Sequence, residues 1–83
     1  MEWIDRLAEA LGEEPPSQAE TGRLLEAARE VAHRVERKAT PLAAYLLGAA
    51  AGRRMAAGTK REDATAEVLR VLDGKLPQAP VES

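Results

Sequence analysis

This 83-residue chain predicts an all-α fold, a compact four-helix domain with a buried, Ala/Gly-rich third helix. Three observations carry that expectation. Ala, Leu, Arg and Glu, all strong helix formers, are abundant. Apolar residues recur at i, i+3, i+4 spacing, and no stretch alternates with the period of two that marks a strand. From Pro41 to Gly52 no residue is charged, and the one polar side-chain group is the Tyr45 hydroxyl. A helix that is apolar all round is a buried helix.

The first helix is expected over about 2–11. Trp3, Ile4, Leu7, Ala8 and Leu11 cover one face, and Glu2, Asp5, Arg6 and Glu9 the other. Trp3 reads as the core anchor of this helix. Gly12 is a natural stop, and Pro15-Pro16 forbids continuation. The second helix is expected over about 18–38. It opens on Ser17-Gln18-Ala19-Glu20, the pattern of a capping box. Its apolar stripe is Leu24, Leu25, Ala28, Val31, Ala32 and Val35, and Arg37 and Lys38 suit a helix C-terminus.

Thr40 as N-cap and Pro41 in the first turn start the third helix, expected over about 41–57. A connection this short makes the second and third helices an antiparallel hairpin. Gly58 closes the third helix, and Thr59-Lys60-Arg61-Glu62 matches a second capping box. The fourth helix is expected over about 60–73, burying Ala64, Val68, Leu69, Val71 and Leu72 and stopping at Gly74. Residues 1–74 then form one domain, and 75–83, with Pro77 and Pro80, a flexible tail.

Composition narrows the function. The 14 acidic and 12 basic residues intermix and give a net charge of -2, without the basic bias of a nucleic-acid binder. Trp3 and Tyr45 are the only aromatics, too few for base stacking. There is no cysteine, hence no disulfide and no thiolate metal site, which fits a reducing compartment. The acidic N-terminus is unlike a signal peptide, and Arg53-Arg54 closes the apolar run before it is long enough to span a bilayer. A soluble, cytoplasmic protein is expected, with no membrane or nucleic-acid partner. No nucleophile–base pair, paired carboxylates or phosphate loop is visible, so neither an enzyme nor a cofactor site is expected.

Two places hold candidate contact residues. His33, the single histidine, shares the polar flank of the second helix with Glu36, Arg37 and Lys38 beside the Thr40-Pro41 turn, a candidate partner-binding corner. A lone solvated histidine is the simpler reading of His33. Gly48 and Gly52, one turn apart with three alanines between them, allow a close helix–helix contact. That contact is either internal packing or the seam of a homodimer.

The run Val31 to Gly48, with its Arg37-x-x-x-Pro41-Leu42 core, resembles a family of small actinobacterial-type helical domains of unknown function. The Trp3-Ile4-Asp5…Leu11-Gly12 opening and the Leu24-Leu25…Ala28-Arg29 segment are similar too. Members occur alone or fused to nucleotidyltransferases of the molybdenum-cofactor guanylyltransferase type. The resemblance implies an accessory or interaction module associated with molybdenum-cofactor biosynthesis, and it supplies no catalytic residues. The two functions expected are a non-catalytic protein-interaction module, with such a guanylyltransferase as partner, and a self-associating structural homodimer.

Overall fold

The computed structural model describes residues 1–78. They form an all-α four-helix domain: α1 (Glu2–Leu11), α2 (Gln18–Arg34), α3 (Ala39–Ala56) and α4 (Arg61–Lys75). Among the described residues there is no strand, and none of these helices is long and apolar enough to cross a membrane.

The helix ends show which local signals win. Gly12 ends α1 in the left-handed region at φ 71°. Its N–H bonds to the Glu9 carbonyl and the Glu13 N–H to the Ala8 carbonyl, the paired bonds of a Schellman turn. Gly58 does the same after α3 at φ 108°, with the Thr59 N–H on the Arg54 carbonyl. That bond commits Thr59 to closing α3, so the expected capping box does not form. Lys60 stands at the N-cap of α4, without a side-chain cap.

At Ser17 the expectation is half met. Its hydroxyl accepts the Glu20 N–H at 3.0 Å, but the Glu20 carboxylate turns away toward α4 instead of closing the box. α2 ends at Arg34 rather than Lys38, and α3 starts at Ala39. The intervening turn explains both shifts. Lys38 already has right-handed helical backbone angles, and the Ala39 and Thr40 N–H groups bond to the Glu36 and Arg37 carbonyls. Thr40 is therefore inside the helix and caps nothing. Pro41 is still in the first turn, where its missing N–H is no loss. The Thr40 Oγ1 is buried without a partner. An unsatisfied buried hydroxyl costs about 1–3 kcal/mol, so Thr40→Val should raise the melting temperature by several degrees in far-UV circular dichroism. A lower melting temperature would restore Thr40 to a capping role.

α3 is the hub of the packing, lying along α4 and, over a shorter length, α2. The core is small: Ala8 of α1, Val31 of α2 and Ala64, Thr65 and Val68 of α4 are its buried residues. The Arg54 Nε on Glu67 Oε1 at 3.0 Å adds a polar tie between α3 and α4. Arg34 donates to Glu30 and to the Pro77 carbonyl at 2.7 Å, fastening the segment after α4 to α2. α4 runs through Gly74 to Lys75, because Gly74 does not take up a left-handed conformation. The part of the expected tail beyond Gln78, with Pro80, lies outside the described residues.

One expectation is corrected here. No residue of α3 is buried. Leu42, Tyr45 and Leu46 stand 67%, 78% and 67% exposed. An all-round apolar helix needs neighbours on every side, and only two helices pack against it. The helix that would complete the enclosure is α1, which makes no comparable helix–helix packing. Trp3 is accordingly 60% exposed rather than a core anchor, and Leu7 and Leu11 lie open beside it. The molecule is 46 Å long, against about 27 Å for its longest helix of 18 residues. The four helices thus do not stand side by side.

A candidate docking groove

The space between α2, α3 and α4 is a half-open groove of about 460 Å³. Leu24, Ala28 and Val31 form one wall, Leu47 and Ala51 another, and Val68, Leu69 and Leu72 the floor on α4. The lining follows from sequence spacing. Leu24, Ala28 and Val31 are one stripe of α2, and Thr65, Val68, Leu69 and Leu72 one stripe of α4. These residues face the groove, while Leu25 and Val35 of the expected α2 stripe and Val71 of the expected α4 stripe are exposed at 55%, 52% and 57%.

Gly48 and Gly52 sit in the α3 wall of this groove. A methyl group at either position would touch nothing within 4 Å. They therefore do not serve a close contact within this chain. They leave a shallow notch one turn long, where the backbone of α3 is accessible to an approaching helix.

Three polar residues of the groove, Glu20, Arg61 and Thr65, bond to one another, and Glu13 and Thr40 also line it. The Arg61 guanidinium grips Glu20 in a fork, Nε to Oε2 and Nη2 to Oε1, both at 3.1 Å. Thr65 Oγ1 donates to Glu20 Oε2 at 3.3 Å, and Arg61 Nη1 reaches the Glu14 carbonyl at 2.9 Å. Three segments meet there: the linker after α1, the N-terminus of α2 and the first two turns of α4. Burial raises the Glu20 pKa, but the Arg61 hydrogen bond and charge, the Ser17 cap and Thr65 outweigh it, holding the carboxyl below its ordinary value of 4.5. Glu20 thus stays ionised and paired at neutral pH. What remains available to a ligand is mainly apolar wall.

Sequence reasoning missed this cluster for an identifiable reason. The Ser17-x-x-Glu20 spacing had already given Glu20 a local partner, and nothing along the chain links Glu20 to Arg61, 41 residues away. The partner-binding corner is located differently. His33, Glu36, Arg37 and Lys38 are all exposed around the α2–α3 turn, outside the groove lining. Of the candidate residues, the fold brings Gly48 and Gly52 into the groove and leaves the other four on the surface at its α2–α3 end.

Fold and groove together define a small all-α domain whose central apolar surface is left uncovered. The chain belongs to the domain of unknown function family DUF6457, whose profile matches residues 1–80. No curated protein and no solved structure matches the chain.

Proposed function

We propose that this domain is a non-catalytic protein-interaction module that accepts an amphipathic helix in the groove between α2, α3 and α4. The observation that carries the reading is the groove itself: about 460 Å³, walled by aliphatic side chains, with a glycine notch in one helix. Helix-in-groove recognition uses this kind of surface, with anchors at i, i+3, i+4 and i+7 entering an apolar channel. Soluble proteins rarely leave extended apolar surfaces uncovered unless something binds them. The exposed Leu42, Tyr45 and Leu46 on the outer face of α3 enlarge the apolar surface beside the groove. The charged corner at His33, Glu36, Arg37 and Lys38 would then supply rim contacts, which set orientation and association rate more than affinity.

The partner to test first is the one the family resemblance implies, a guanylyltransferase of molybdenum-cofactor maturation, and the cytoplasm is the compartment this reading assigns. Purified guanylyltransferase should be retained by the immobilised domain and released by Gly48→Leu, which fills the notch. Retention equal to that of an unrelated control protein removes this partner. Retention unaffected by Gly48→Leu removes the groove as its site.

A further inference from the structure

We infer that the groove is occupied by α1 of a second copy of this chain, in a reciprocal exchange that makes a two-fold symmetric dimer. This rests on the groove reading above and names its occupant.

The chain carries two exposed apolar surfaces that match. One is the groove. The other is the α1 stripe of Trp3, Leu7 and Leu11, spaced one turn apart and all exposed. Gly48 and Gly52 are also one turn apart, so successive stripe residues meet successive notches along α3.

Charge complements shape. α1 holds three acidic residues, Glu2, Asp5 and Glu9, and one basic residue, Arg6, so the helix is net acidic. α3, the open wall, has Arg53 and Arg54 and no acidic residue. Arg54 is engaged by Glu67, while Arg53 is exposed. An acidic helix placed beside a basic one is steered and held in register.

The linker argues for exchange rather than self-docking. The Schellman bonds at Gly12 and Glu13 fix how α1 ends, and Arg61 holds the Glu14 carbonyl at 2.9 Å. Pro15-Pro16 then runs into the Ser17 cap, with two backbone φ angles locked by the proline rings. Every residue between α1 and α2 is thus either hydrogen-bonded or ring-constrained. Moving the linker away from α4 would break the Arg61 bond to the Glu14 carbonyl. Exchange between two copies keeps it, closes on itself and forms each helix–groove contact twice.

The test uses the full chain and its single tryptophan. Sedimentation should give a dimer at micromolar concentration, and Trp3 emission should shift to the blue as concentration rises. Leu7→Asp, on the stripe, and Gly48→Leu, in the notch, should each be monomeric with red-shifted Trp3 and unchanged helical content. Mixing these two variants should restore association, because one intact α1 then meets one intact groove. High salt should weaken the wild-type dimer. A monomer whose Trp3 is blue-shifted at every concentration means α1 docks in its own groove, and overturns both the exchange and the open-groove reading. A monomer with red-shifted Trp3 overturns the exchange alone and leaves the groove for another protein. A dimer that survives both substitutions uses a different surface and overturns the exchange.

Discussion

Replacing Arg61 by leucine lowers the stability of the domain by about 1.5–3 kcal/mol at neutral pH, the usual cost of removing hydrogen bonds to a charged group. Arg61 is the sole basic partner of Glu20 among the described residues, and it also holds the Glu14 carbonyl. Without it, the Glu20 carboxylate at 14% side-chain exposure loses its counter-charge. In a domain of this size the loss corresponds to about 4–8 °C of melting temperature per kcal/mol.

The pH dependence supplies the sharper check. The folded Glu20 pKa lies below its ordinary value of 4.5. Its stabilisation is therefore complete above 4.5 and is lost as pH falls through the folded pKa, because the unfolded state there binds more protons. In Arg61→Leu the opposing pull of burial is no longer outweighed by the guanidinium. Wild type and variant should consequently differ most near neutrality and converge well below pH 4.5, where Glu20 is protonated in both. Urea unfolding at the two pH values measures this, and a difference that does not change with pH would remove Glu20 from the account.

Gly48→Ala and Gly52→Ala should each stabilise the monomeric domain by about 0.5–1 kcal/mol, the helix-interior preference for alanine over glycine. Neither new methyl meets an atom within 4 Å, so no steric term opposes the gain. The two sites lie one turn apart without a shared partner, so the effects should nearly add. Thermal unfolding at concentrations where the chain is monomeric provides the measurement. A destabilised double variant would mean that the glycines permit an internal contact after all. If the double variant is more stable but binds its partner less well, glycine is retained at these positions for docking.

These expectations depend on residues that were legible to different degrees. Helix number, order and approximate bounds follow from apolar periodicity, and the stops at Gly12 and Gly58 follow from glycine's freedom at positive φ. The Ser17 cap was readable because a hydroxyl three residues before a free N–H is a local matter. The α2–α3 junction was not. Thr40-Pro41 looks like a helix start from its own chemistry, but the preceding turn satisfies those N–H groups with backbone carbonyls and moves the start to Ala39. The Glu20–Arg61 fork was out of reach for the same reason in reverse, because its partners are neighbours only after α2 and α4 come together.

α3 separates the two kinds of information most clearly. Its sequence alone determined that it is helical, central and uncharged over most of its length, since propensity and periodicity are properties of the local chain. Whether such a helix is buried depends on how many neighbours reach it, and that is a tertiary quantity. Here α2 and α4 pack along it, and α1 makes no comparable packing. The all-round apolar surface therefore becomes partly packing face and partly open wall, and Gly48 and Gly52 become a notch in that wall. Tertiary structure also placed the linker after α1, because Arg61 of α4 holds the Glu14 carbonyl. The sequence by itself determined which faces of the helices are apolar, and only the arrangement of the helices decided which of those faces remain exposed.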